Sequence, residues 1–391
     1  MTIKEASISR EEPEEFQTGE VSTISFAHFV NDVYTSQIAP LLPVLIDKLS
    51  ISLTAAGGLS SLVQLPALIN PFIGYMADKV SLRWFVILAP AVTGTLISII
   101  GLASTPLELA LILFVAGISG AAFHAPAPAM IARVSGKQVG KGMSFFMASG
   151  ELSRTVAPLL AVWAVSYWTL EGMWRLAILG WAASILLYWR LRNVPARSEP
   201  QGDVRKLIPS LRAVFLPLGL FIFFRNFLNV SLTTYLPTYM SAQGSTLLIA
   251  GAALSILELA GVAGALLSGT LSDKMGRRPI LFVATISAAA MMLVFLNVEG
   301  WVLVPILLVM GFASLSTTPV LLAIVQENAP NNRALANGLF ISMAFLLRPI
   351  SLLAIGYIGD TSGLENAFML SAVISLFALA PVFLIPQQKP G

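Results

Sequence analysis

Twelve stretches of this chain are each long and apolar enough to cross a lipid bilayer, and that leaves very few folds open to it. They fall near residues 21–45, 54–77, 84–103, 107–132, 139–166, 172–192, 212–240, 246–272, 279–297, 300–326, 333–358 and 363–385. A bilayer core takes about 20 apolar helical residues. Backbone in lipid must satisfy its own hydrogen bonds, which permits only helices or closed barrels. These runs are continuous and lack strand alternation, so they read as helices. The fold class is an all-α membrane protein with twelve transmembrane helices. Composition agrees: 11% of the 391 residues are charged, against roughly 25% in soluble domains. The mean hydropathy is +0.82. No basic stripe is present to suit nucleic acid. There is no cysteine, hence no disulfide, thiolate metal site or cysteine nucleophile.

The loops after the even-numbered spans 2, 4, 6, 8 and 10 hold fifteen basic residues, among them Lys79, Arg83, Arg133, Arg205 and Arg333. The other side has Lys48, with Arg175 at a span edge. The positive-inside rule places the even loops and both termini in the cytoplasm, and the protein in a cell membrane crossed many times. Residues 1–20 carry six glutamates and two basic residues, which reads as an acidic cytoplasmic tail rather than a cleavable signal. The longest connection, 193–211, holds Pro195, Pro200 and Pro209. It divides the chain into an N-terminal bundle (21–192) and a C-terminal bundle (212–385) of six helices each, with residues 386–391 as a second short tail.

The halves repeat. Gly74, Asp78 and Lys79 close span 2, with Arg83 following, and Gly269, Asp273, Lys274, Arg277 and Arg278 close span 8. The two aspartates stand 195 residues apart, half the chain. Glycine admits close helix approach, the aspartate can meet a helix N-terminus, and the cations stay at headgroup level. Both segments resemble the signature gating loop of the major facilitator superfamily. The first copy departs from it at Ser81, where the pattern has glycine. Within the superfamily the chain is similar to the fosmidomycin-resistance branch of bacterial efflux proteins. That likeness rests on Ala27–Asp32, Phe123–Pro126, Gly150–Ala161 and Gln326–Pro330. Span 5 departs from the antiporter pattern at Ala157, Leu160 and Ala161. The resemblance implies two six-helix bundles rocking about a midplane site in the bacterial inner membrane. It also implies a monomer that exports a drug or metabolite against proton entry.

Charge at bilayer depth costs about 2.5–3.5 kcal/mol on insertion scales, so it implies a partner, water or a function. Asp32 (span 1), Glu151 and Arg154 (span 5), Arg225 (span 7), Glu258 (span 8) and Arg348 (span 11) all fall well inside spans. His28 and His124 are intramembrane too. Asp32 is the first candidate for proton coupling, because a carboxylate in a low-dielectric cavity can load and release protons. His28 lies one turn earlier on the same face and Asn31 is adjacent. A structural ion pair or helix cap is the plainer reading.

Glu151 and Arg154, three residues apart, can pair. Either they simply neutralise each other, or Glu151 holds Arg154 towards the cavity. Arg225, with Asn226 and Asn229, gives span 7 a polar face that suits a carboxylate or phosphonate. Snorkelling or a pair with Glu258 would be the alternatives. Glu258 is then a second proton carrier or that arginine's counter-ion. Arg348 precedes Pro349, where a kink frees carbonyls for substrate contact. His124 precedes Pro126 and Pro128, which predict a bent span 4, and it joins the candidate binding set. Tyr34 and Tyr235 could line the cavity, although aromatics there more often pack. Two histidines on different spans are weak grounds for a metal, and none is expected.

The pairs Gly136–Lys137 and Gly140–Lys141 lack the preceding glycine and following Ser or Thr of a phosphate loop. No catalytic motif or soluble domain is present, so neither enzyme nor cofactor is expected. Energy must come from an ion gradient or the substrate's own. The leading expectation is a proton-coupled exporter of a small, anionic organic compound, in contact with membrane lipids. An organic-anion uptake symporter or exchanger is the alternative, and a lipid flippase the third.

Overall fold

The computed structural model describes residues 15–69, 83–192, 211–329 and 333–385, and among these there is no strand. The first span is α1 (Thr18–Thr35) and α2 (Ile38–Leu49), and the second begins with α3 (Leu53–Leu62). Then follow α4 (Arg83–Ser98), α5 (Pro106–His124) with α6 (Ala127–Val134), α7 (Val139–Gly172) and α8 (Ala177–Leu191). The second half has α9 (Leu216–Val230) with α10 (Leu236–Ala242), α11 (Leu247–Met275), α12 (Arg277–Phe295) and α13 (Leu303–Asn328). It ends with α14 (Arg333–Ser362), α15 (Leu364–Leu376) and α16 (Leu379–Val382). Nine helical stretches among the described residues are apolar and long enough to span a membrane. One of them, Gly136–Leu191, is 56 residues long and turns at Thr169, whose φ is +66°, so it holds two spans. The shorter Leu53–Ile69 and the broken pair α1–α2 complete twelve.

Where helices break, proline accounts for it. Span 1 runs from Thr18 to Leu49 rather than 21–45 and parts at Ser36–Gln37, ahead of Pro40 in the first turn of α2. Span 4 turns at Ala125–Pro126, as its two prolines predict. Span 7 opens into a wide π turn over Ser231–Tyr235, because Pro237 has no N–H to return to the preceding turn. Ser52, Thr105 and Thr246 accept from Ala55, Glu108 and Ile249 amides and so start α3, α5 and α11.

The first and last described segments are tied down locally: the Gln17 amide donates to the Val134 carbonyl, and Arg278 donates to the Phe383 and Ile385 carbonyls. Lys48 and Glu171, paired at 2.8 Å, mark the far face, the side away from the even-numbered loops. The buried residues of two apolar cores come from 21–191 and those of two others from 214–385, with Ala39 and Leu53 of the first half packing onto one of the latter. Outward-facing Leu, Ile, Phe and Trp, such as Leu107, Ile178 and Trp301, make the surface that lipid covers. Within the second half, α11 and α13 approach through glycine. A Cβ at Gly311 would overlap the Leu257 carbonyl, and one at Gly264 the Phe312 carbonyl. Gly311→Val is therefore expected to cost about 1–3 kcal/mol, seen as a lower thermal midpoint in detergent. An unchanged midpoint would mean the helices part freely.

The two halves meet at the far face. There α3 packs on α14, α2 on α10, and the far end of α7 on the start of α11. Gly251 sits against Val162 and the Pro158 carbonyl in the last of these seams.

Candidate functional site

Three elements bring His28, Asp32 and His124 together. His28 and Asp32 share one face of α1, and α5 ends on His124 where the fourth span turns. Asp32 Oδ2 is 3.1 Å from His28 Nε2, and Oδ1 is 3.2 Å from His124 Nε2. Asn31 Nδ2 donates to Oδ1 at 3.0 Å. From α7, the Phe146 carbonyl lies 2.8 Å from His28 Nδ1, and the Phe146 ring stacks on the imidazole at 4.0 Å. Gly150 makes room for this wall, since a Cβ there would stand 2.5 Å from the His28 ring.

The Phe146 carbonyl fixes where hydrogens sit. A carbonyl only accepts, so His28 Nδ1 carries a hydrogen. If Asp32 is ionised, Nε2 must then carry a second one. If His28 is neutral, the carboxyl must supply the hydrogen between them. In either form the His28–Asp32 contact holds one exchangeable proton, and without it two lone pairs face each other at 3.1 Å. The three donor atoms lie within 4.8 Å of one another, close enough to converge on a cation as well. Zinc would need a fourth ligand, which no other His, Asp or Glu in this cluster supplies among the described residues.

A second cluster spans the two halves. Glu151 pairs with Arg154 along α7, and Arg154 Nε faces Glu258 Oε2 of α11 at 3.7 Å. Glu258 is buried, whereas Arg154 is 43% exposed to the space between the halves. Replacing Glu151 by Gln is expected to cost about 1–3 kcal/mol, less than the roughly 3–5 kcal/mol of a fully buried pair. The double variant Glu151→Gln/Arg154→Gln should be the less stable of the two by thermal unfolding, because it also strips the buried Glu258 of its cation.

The third cluster belongs to the second half. Arg225 donates to the Ser314 carbonyl at 2.5 Å, and Thr318 Oγ1 lies at 3.4 Å. Arg348 donates to Asn229 Oδ1 at 3.0 Å and to the Thr233 and Thr234 hydroxyls at 2.9 and 3.1 Å. Neither arginine meets a carboxylate within ion-pair distance among the described residues; Glu258 faces Arg154 instead of Arg225. Arg225, Asn229, Ser314 and Thr317 line one crevice. A recess of about 560 Å³ near Gln243 and Glu365, at the far face, does not contain these charged residues.

Tyr34 and Tyr235 stand apart from the clusters. Both are buried; the Tyr34 hydroxyl donates to the Leu176 carbonyl at 2.7 Å, and that of Tyr235 lies between the Leu352 and Leu53 carbonyls. Of the loop residues, Asp273 pairs with Arg277 at 2.6 Å, and Arg277 also reaches Glu327 at 2.5 Å. Among the described residues nothing stands within 4 Å of a Cβ built at Gly269, and Arg83 opens α4 beside Trp84. Gly74 and Asp78 lie outside the described residues. Sequence reasoning missed Phe146, whose part is played by a backbone carbonyl, and Glu327, although it lies in the segment Gln326–Pro330.

The sequence matches the profile of the Major Facilitator Superfamily over residues 24–351 and 271–391. The chain belongs to that superfamily. This transporter is 24% identical over 380 residues to the fosmidomycin resistance protein of Escherichia coli (strain K12), covering 94% of this chain and 92% of that one. It is 23% identical over 381 residues to the uncharacterized MFS-type transporter YfnC of Bacillus subtilis (strain 168), with the same coverages. Its fold is similar to a bacterial homologue of the human lysosomal transporter Spinster, solved inward-facing and unoccupied. That likeness has a TM-score of 0.76 at 16% identity and covers 95% of this chain and 98% of that one. A D-xylose–proton symporter gives 0.75 at 17% identity, again covering 95% and 98%. A membrane transporter of this superfamily is not an enzyme.

Proposed function

We propose that the protein is a proton-coupled secondary transporter that exports a small organic anion by alternating access. The observation that carries this reading is the separation of two kinds of site between the halves. Asp32, bridged by His28 and His124, offers an exchangeable proton in the first half. Arg225 and Arg348, with no carboxylate within ion-pair distance among the described residues, offer anion-binding forks in the second. Arg154 and Glu258 join the halves between them. The bundles 21–192 and 212–385 are the rocking units, and Asp273, Arg277 and Glu327 form the loop contact remade in each cycle. Export is the direction suggested by the resistance protein it is similar to. The positive-inside asymmetry favours cytoplasmic termini, and the likeness to bacterial members of the superfamily favours the bacterial inner membrane and a monomeric working unit.

Uptake by proton–anion symport is the second reading, and the charge layout favours it in one respect. A proton added near Arg154 makes the cavity more positive, so proton and anion should help each other bind. The test is to reconstitute the protein and screen phosphonates, carboxylates, neutral drugs and lipophilic cations for binding at two pH values. Anion binding weakened by acid supports exchange for protons. Anion binding strengthened by acid supports symport, and binding of cations or lipid alone would overturn both.

A further inference from the structure

Every helix start leaves its first four amides without partners inside the helix, and at the start of α3, on the far face, three of these, on Leu53, Thr54 and Ala55, are satisfied by side chains. Ser52 takes one of them, accepting from Ala55 N at 3.1 Å. The other two are taken from the opposite half of the molecule. Asp360, near the end of α14, accepts from Leu53 N at 2.7 Å through Oδ1 and from Thr54 N at 2.9 Å through Oδ2. The Thr54 hydroxyl adds a bond to Oδ2 at 2.5 Å. One carboxylate thus caps a helix of the other half and sits at the positive end of its dipole.

Two more observations place the same seam under close packing. Tyr235, from the π turn of span 7, sets its hydroxyl 3.1 Å from the Leu53 carbonyl and 2.8 Å from the Leu352 carbonyl, bridging α3 and α14. The helices approach through a glycine on each side. A Cβ at Gly57 would stand 2.6 Å from the Leu352 carbonyl, and one at Gly356 would stand 2.6 Å from the Leu53 carbonyl. The seam lies across the line along which the two halves must part if the far face is to open.

We infer that Asp360 is a state-specific latch of the transport cycle: its cap on α3, backed by Tyr235 and the Gly57–Gly356 approach, holds the far face shut and is released when that face opens. Asp360 touches no substrate; it is a positioning residue that sets how often the far face opens. This stands independently of which solute moves and of proton coupling.

The chain has no cysteine, so introduced pairs report cleanly. Ser104→Cys and Glu299→Cys, both exposed in far-face turns of opposite halves, would carry spin labels in nanodiscs for distance measurement. Asp360→Ala in that background is expected to raise the ratio of long to short distances by roughly 5- to 30-fold. Asp360→Asn, which keeps one acceptor, should give a smaller rise, and the thermal midpoint should stay within a few degrees. A residue that merely supports the fold would lower the midpoint and leave the ratio alone. An unchanged ratio in a monodisperse Asp360→Ala protein overturns the inference. Should that variant fail to fold, the oxidised pair Thr54→Cys/Asp360→Cys serves instead. Only the short distance should then remain until the disulfide is reduced, and a persisting long distance would equally overturn it.

Discussion

Asp32→Asn sharply reduces proton-driven accumulation and spares anion exchange: that is the result expected if the His28–Asp32 contact is where the proton rides. Asparagine keeps the size of the side chain, and its amide can supply the hydrogen that the His28 contact requires. The variant therefore copies the protonated pair permanently. A site that cannot give up its proton has no need of a gradient, so exchange of labelled for unlabelled anion continues. Accumulation driven by pH should fall by about 5- to 150-fold, the span of an ordinary coupling free energy of roughly 1–3 kcal/mol. His28→Gln should lose less, because His124 still reaches the other carboxylate oxygen at 3.2 Å. Parallel exchange and accumulation assays check this directly. Loss of both together would instead make Asp32 a structural tie between α1 and α5.

Arg348→Ala carries the second large effect. Its guanidinium makes three bonds to Asn229, Thr233 and Thr234, which hold the fork in place without cancelling its charge. A charged hydrogen bond contributes about 1.5–3 kcal/mol, so affinity for the anion should fall by roughly 10- to 150-fold. Arg348→Lys should recover only part of that, since an ammonium keeps the charge and loses the planar fork. Binding of a neutral analogue should change little. Titration calorimetry on the three proteins separates these cases, and equal anion affinity in all of them would remove Arg348 from the binding site.

Much of this arrangement is legible in the sequence, and the remainder has a physical reason for being hidden. Span length and continuity reach the helices directly, because lipid leaves the backbone so little choice. Spacing reaches the His28–Asp32 and Glu151–Arg154 contacts, since neighbours one turn apart must meet on a helix. The break at Ala125 follows from Pro126 and Pro128, and the π turn at Ser231–Tyr235 from Pro237. That His124 closes on Asp32, and that Glu258 faces Arg154 rather than Arg225, depends on how separate helices pack. Spacing along one chain carries no signal for that. Asp360 was invisible for the same reason: its partners, Leu53 and Thr54, lie about 300 residues away and present backbone amides, which every residue has.

The most direct measurement of the central claim is a proton flux. Liposomes holding a pH-sensitive dye and the anion that binds this transporter are diluted into anion-free buffer, with Asp32→Asn liposomes alongside. Proton movement that starts with anion exit, runs opposite to it and is absent in the variant is the predicted result. Equal proton movement in both proteins, or anion exit with none in either, would contradict proton coupling at Asp32.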